Sequence, residues 1–339
     1  MVARMMSSER DQSTQAPAVS VVVATEGHGA ELERCLASLF EQELGPRRYE
    51  VIVVDVRATP ETRRLVERWQ VRASSERPRL EVVYLPLLSS DGMAAAYNRG
   101  WRAARGPIIA FTREECIPAT TWLEEGLDAL SDDVAVAQGR VLVPLPPVPT
   151  TPELDAADDA RRELTTSNCF CTRAALDDVG GFDERMTRSV VDDHDLLLTF
   201  REHGRRVTRA PEAVVLRLVE GETWRHSLGR QRNVEDEVFL RRKHARLHPS
   251  DDTGLWQDAA AVTTLLVGVG GLLLGRRRVA TVAAGAWLAL TAQRCVERLR
   301  GSSRHWSNVL GVVATSAIIP LQRAYYRVRG AIRFRGMPG

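Results

Sequence analysis

Between residues 19 and 130 the chain alternates, four times over, a short β-branched or apolar run with a stretch of helical periodicity. Residues 19–24, 51–54, 80–84 and 108–111 have the composition of buried strands. Residues 31–41, 60–70, 93–104 and 120–130 repeat apolar side chains every three or four positions, and Pro60 stands where a first helical turn tolerates proline. Such alternation commits a chain to βαβ units and a parallel sheet. Ligands of that kind of sheet bind beyond the carboxyl ends of its strands. The residues that follow each run are therefore the candidate functional positions. They are Thr25 and Glu26, Asp55, the turn from Ser89 to Gly92, and Arg113, Glu114 and Glu115.

The rest of the chain bounds the setting. The net charge of +2 conceals a split, because residues 255–339 hold twelve arginines against only Asp258 and Glu297. An acidic body with a basic, apolar tail suits a membrane surface, whereas nucleic-acid binders carry their basic charge on the folded domain itself. Three apolar segments, 259–274, 279–290 and 309–321, each fall short of the roughly 20 residues of an upright span. Basic clusters separate them, so if all three crossed, arginines would lie on both faces, against the positive-inside bias. Either some segments lie in the interface or one is re-entrant; the other arrangement is a small helical bundle packed on the body. Residues 1–17 are polar and read as a disordered leader, which leaves the body in the cytoplasm. The five cysteines form no zinc or disulfide pattern, since Cys169 and Cys171 are too close for one, and reduced thiols are expected. Residues 141–152 read as a proline-rich loop, 156–164 as a short helix, and 222–246 as a long charged helix containing Trp224. The expected domains are 1–17, 18–250 and 251–339.

Several chemistries are disfavoured. The first strand–helix turn, ATEGHGAELE, has no dinucleotide-binding glycine fingerprint in register, and a Walker phosphate loop is absent. Asp55 after VIVV can hold a ribose hydroxyl or base edge, or it can cap the next loop. Asp192, Asp193 and Asp195 precede an apolar helical run. Carboxylates there can supply a general base, or they can favour the positive end of a helix.

Taken in order, the pieces resemble the family 2 glycosyltransferases. They are Thr25-Glu26, Val54-Asp55, YNRG at 97–100, FTREECIP at 111–118, WL at 122–123, GGFDE at 180–184, DDHDL at 192–196 and AP at 210–211, spread over residues 19–246. The resemblance implies an α/β, GT-A-like Rossmann-type sheet followed by membrane-associated helices. It implies inverting transfer of a sugar from a nucleoside diphosphate sugar to a hydroxyl of a lipid-linked or cell-surface glycan, at the cytoplasmic face of a membrane, with no nucleic acid as partner. Asp193 aligns with the base, with Asp192 and Asp195 as neighbours that hold the loop or raise its pKa. Thr25, Glu26, Asp55, Asn98, Arg113 and Glu114 fall on nucleotide-sugar positions. Glu115 falls on the second acid of the D-x-D motif, the ligand of a divalent metal (Mn2+ or Mg2+).

The pattern also departs from the family. Arg113 replaces the first acid, and a guanidinium there can pair with a diphosphate and lessen the need for metal. Glu26 stands where an aromatic is common, and Arg217 where a histidine is common. Asn168 falls near the acceptor position, and Trp224 can stack on a sugar or lipid headgroup, or anchor a helix. These departures leave a second reading, a catalytically silent membrane scaffold with an altered metal site. A nucleotidyltransferase is a third, but Gly27-His28-Gly29 makes a poor phosphate loop.

Overall fold

The computed structural model describes residues 16–45, 47–87, 92–131, 133–186, 191–219, 223–247 and 253–336. The expected leader lies almost wholly outside these residues, as does the turn at 89–92 apart from Gly92. The chain divides into two compact units, one of Met1–Pro144 with Ala160–Leu218 and one of Leu145–Asp159 with Val219–Gly339. The division thus falls at residue 218 rather than 250, and residues 145–159 go with the second unit.

The first unit is built on a sheet of eight strands among the described residues. They are β1 (Val19–Thr25), β2 (Tyr49–Asp55), β3 (Leu80–Pro86), β4 (Ile108–Arg113), β5 (Cys116–Pro118), β6 (Val136–Leu142), β7 (Asn168–Thr172) and β8 (Val207–Arg217). Their spatial order is β3-β2-β1-β4-β7-β6-β8-β5. The first four strands are parallel, as the alternation predicts. The remainder corrects the all-parallel expectation, since β7 runs antiparallel to β4 and β6, and β5 antiparallel to β8. Helices α1 (Gly29–Phe40), α2 (Pro60–Glu76), α3 (Gly92–Ala103) and α4 (Trp122–Asp128) connect the early strands, and α6 (Arg173–Val179) and α7 (Val191–Glu202) belong to the later part.

Both faces of the central strands are covered. Val21 and Val23 of β1 pack with Leu32, Leu36 and Trp69 on one side, while Val22, Ala24 and Ile52 pack with Tyr97 and Trp101 on the other. Double burial explains why these strands read as nearly continuous β-branched runs. Strand β6 corrects the loop expected from residue 141. Its sequence VAQGRVL carries the polar Gln138 and Arg140 in its middle, and Gly139 is required because a Cβ there would lie 2.2 Å from the Asn168 carboxamide.

The second unit holds α5 (Thr151–Asp159), α8 (Trp224–Arg230), α9 (Asn233–Lys243), α10 (Thr253–Leu273), α11 (Arg277–Leu299) and α12 (Trp306–Arg333). The long helix expected over 222–246 is two helices, α8 and α9, with Gly229 near the break. Gly254–Leu273 and Arg277–Leu299 are long and apolar enough to cross a membrane, and little of either is buried within the protein. At 1.5 Å per residue each spans about 30 Å or more, the thickness of a bilayer's hydrocarbon core. A buried charge cluster ties the three long helices together. Asp258 of α10 lies 3.0 Å from Arg294 of α11 and 2.8 Å from Arg327 of α12, with Arg323 at 3.3 Å. An acid inside an apolar helix is tolerable only with such partners.

Candidate active site

The site lies in the first unit, at the carboxyl ends of β1, β2 and β4. Strand β1 has β2 on one side and β4 on the other, so the connections diverge there and open a crevice. Register sets Thr25 opposite Asp55, and Ala24 opposite Arg113. Asp55 is fully buried and holds its own loop. Its Oδ1 accepts from Arg57 N (3.0 Å), and its Oδ2 accepts from Thr59 N (2.9 Å) and Tyr84 OH (3.0 Å).

The three residues after β4 take different directions. Glu114 turns back under the β1–α1 loop, where it accepts from Thr25 Oγ1, Glu26 N (2.9 Å) and His28 N (3.1 Å). His28 Nδ1 lies 2.8 Å from the same carboxylate, and that hydrogen bond raises the imidazole pKa above its ordinary value. Glu114 therefore staples the loop, and the Glu26 side chain points to solvent.

Glu115 faces the other way. Its Oε1 lies 2.9 Å from Arg113 Nε and 3.6 Å from Arg217 Nε. Arg217 arrives from β8, paired in register with Cys116. Burial would push the Glu115 carboxyl up, but the two arginine charges outweigh it and hold the pKa below its ordinary value. This donor set does not fit a divalent cation, because the one carboxylate oxygen that would ligate it is bracketed by two guanidiniums, and like charge repels the ion. His28, Glu31 and Glu114 also bring ligand atoms within 4.8 Å of one another. That cluster is a poor cation site too, since four donors already occupy the Glu114 carboxylate and the imidazole holds its proton more tightly than usual.

Asp192 and Asp193 sit in the first turn of α7, both turned inward at 0% and 6% exposure. Asp192 Oδ1 accepts from Asp193 N at 2.9 Å. Asp192 Oδ2 and Asp193 Oδ1 are buried without a hydrogen-bond partner among the described residues. Burial pushes Asp193 up to about 6, against the pull of the Arg113 guanidinium and of Thr166 and Thr165. Asp192 is held well above its ordinary value by burial and by the neighbouring Asp193 charge. Burial thus favours the protonated form of both carboxyls, and charge on one discourages charge on the other. Arg113 is the link in this arrangement: it is ion-paired to Glu115 and within electrostatic reach of Asp193. The floor beneath is aromatic, with Tyr97 5.6 Å from Phe111 and 5.1 Å from Phe182 between ring centres.

Two expected binding residues are spent inside the fold instead. Asn98 donates to Phe182 O (2.8 Å) and Glu184 Oε1 (2.7 Å), and accepts from Phe182 N and Trp101 Nε1 (both 2.9 Å). It clamps the glycine turn that leads toward α7. Gly181 has φ of 80° there, and a Cβ would meet Asn98 Oδ1 at 2.5 Å, so only glycine fits. Asn168 accepts from Trp122 Nε1 (2.8 Å) and donates to Arg140 O (3.0 Å) and Ala213 O (2.8 Å). It fastens β6, β7 and β8, so its place is support rather than contact with an acceptor. Asp195 is buried on the same helix as Asp193. Trp224 belongs to the second unit, where it packs against Gly311. Thr165 and Thr166 were not among the residues the sequence singled out, and His28 stood there only in a poor phosphate loop, not as the partner of Glu114. They carry no motif, and only the fold brings them to the aspartate and the strand tip.

The chain is similar to known proteins over part of its length. Residues 20–176 match the family described as glycosyl transferase family 2. The glycosyltransferase AglE of Haloferax volcanii is 27% identical over 176 residues, which cover 49% of this chain and 56% of that protein. The validoxylamine A glucosyltransferase of Streptomyces hygroscopicus subsp. limoneus is 34% identical over 99 residues, 29% of this chain and 20% of that one. The chain thus spans about half the length of the first relative and about a fifth of the second. In three dimensions it is similar to the mannosyltransferase PcManGT from Pyrobaculum calidifontis, solved with GDP-Man and Mn2+. The TM-score is 0.54 at 20% identity, over 96% of this chain and 88% of that one, which is a likeness of fold.

Proposed function

The chain belongs to the family 2 glycosyltransferases and has their GT-A type of α/β sheet, and from that membership we propose that it moves a sugar from a nucleoside diphosphate donor to a hydroxyl acceptor, with inversion at the anomeric carbon. The observation that carries the reading is Asp193: a buried carboxylate, pushed up to about 6, with one oxygen lacking a hydrogen-bond partner among the described residues.

Each residue has a chemical task in this reading. A hydroxyl has a pKa far above neutrality, so its proton must leave as its oxygen attacks. Asp193 Oδ1 takes that proton while the acceptor oxygen bonds to the anomeric carbon. The bond from that carbon to the diphosphate oxygen breaks, and the nucleoside diphosphate leaves with the electron pair. Attack from the face opposite the leaving group gives inversion. Burial and the neighbouring Asp193 charge raise the Asp192 carboxyl well above its ordinary value, which favours Asp193 as the charged member of the pair. Asp55 lies in register with Thr25 at the strand tips, where the nucleoside would be held. The relative solved with Mn2+ suggests a divalent metal, and Glu115 is the residue that would ligate it. The arginines on Glu115 oppose such an ion, so no step here is assigned to one.

The second unit supports a membrane setting, with two helices long and apolar enough to cross and a strongly basic composition. A lipid-linked or cell-surface glycan acceptor at the cytoplasmic face suits it. Thermal denaturation of the purified full chain with a panel of nucleoside diphosphates and their sugars tests the proposal. One base should raise the melting temperature by mass action, and its sugar conjugate should be turned over in the presence of a membrane lipid extract. Binding without turnover under any condition would leave a silent, glycosyltransferase-like scaffold.

A further inference from the structure

We propose that Arg113 and Arg217, braced by Glu115, bind the donor diphosphate in place of a divalent cation, so that this chain needs no metal to hold its donor. The inference rests on the glycosyltransferase reading and concerns how the same site meets its ligand. The two side chains come from strands far apart in sequence, β4 and β8, yet both reach one carboxylate oxygen, at 2.9 and 3.6 Å through Nε. Both remain partly accessible, at 23% and 16% exposure. Each guanidinium carries five N–H donors in a planar fork that matches phosphate oxygens, so a contact at Nε does not exhaust it.

Charge decides the matter. A divalent ion held by two carboxylates leaves no net positive charge of its own for a diphosphate, whereas two guanidiniums around one carboxylate leave a net charge of +1. Arg113 also acts electrostatically on Asp193. A diphosphate bound on this pair would therefore lie in the same site as the base, across the anomeric carbon from it. Guanidinium–phosphate contacts are charge-assisted, often bidentate, and about twice as strong as neutral hydrogen bonds. In the alternative cation cluster at His28, Glu31 and Glu114, the Glu114 carboxylate is already taken up by its own hydrogen bonds.

Calorimetric titration of the full chain with the nucleoside diphosphate identified by the panel tests the idea. Affinity in excess chelator should match that in manganese to within about twofold, while Arg217→Ala should weaken the diphosphate by about tenfold or more and leave binding of the free nucleoside unchanged. Nucleoside binding thus certifies that the variant is folded. Arg217→Lys, which keeps the charge and loses the fork, should fall between the two. Wild-type diphosphate binding that vanishes in chelator and returns with manganese would overturn the arginine site while leaving the transferase reading in place. Absence of any nucleotide binding in either buffer would sink both together.

Discussion

Replacing Asp193 by asparagine is expected to stop sugar transfer and, above about pH 6, to raise the melting temperature. A positioned general base contributes about 100- to 10,000-fold, and asparagine cannot accept the proton, so turnover should drop by at least that lower factor. Stability moves the other way because the carboxylate is held at a cost. Burial lifts its pKa from 3.8 to about 6, and each unit is worth about 1.4 kcal/mol, so the ionised form costs the fold on the order of 3 kcal/mol. The folded-state pKa is raised, so this penalty is absent below the unfolded value near pH 4, grows as pH rises, and is complete above pH 6. The asparagine variant escapes it, so its gain of several degrees should appear at pH 8 and vanish toward pH 4. Calorimetric melting at both pH values and a transfer assay check the two halves. A variant that keeps more than about a tenth of the activity would remove Asp193 from the reaction.

Asn98→Leu should cause the largest loss of stability in the first unit. Asn98 is 1% exposed and makes four hydrogen bonds to Phe182, Glu184 and Trp101. Leucine is close in volume but leaves the Phe182 amide and carbonyl and the Trp101 indole N–H buried without their partner. Each orphaned group costs about 1–3 kcal/mol, so a loss of about 3–5 kcal/mol is expected, a large part of a typical domain's stability. Urea denaturation of wild type and variant measures it. Activity per folded molecule should also fall, because the clamped turn leads toward the helix that carries Asp192 and Asp193. A loss below about 1 kcal/mol would mean that the turn holds itself.

How far the sequence reveals this protein depends on the range of the interactions involved. The β-branched runs at 19–24 and 51–54 announce strands because both of their faces are buried and only Ser20 interrupts them with a polar side chain. Strand β6 hides because VAQGRVL has one covered stretch and one exposed stretch, and its glycine serves a carboxamide nearly thirty residues away. The direction of β7 is set by its partners β4 and β6, and no local pattern encodes that. The aspartate cluster and the arginine in the altered acid motif are legible as residues. Their meaning is not, because Arg217 reaches Glu115 only through the pairing of β5 with β8, about a hundred residues apart. Asn98 and Asn168 mislead for the opposite reason: a buried carboxamide suits a ligand and a structural clamp equally well, and only the partners distinguish the two.

The pH dependence of turnover bears most directly on the chemistry. With donor and acceptor saturating, release of nucleoside diphosphate should rise tenfold per pH unit on the acid side and level off with an apparent pKa near 6, the value to which burial pushes Asp193. A rate that stays flat from pH 5 to pH 8 would contradict a buried carboxylate acting as the base.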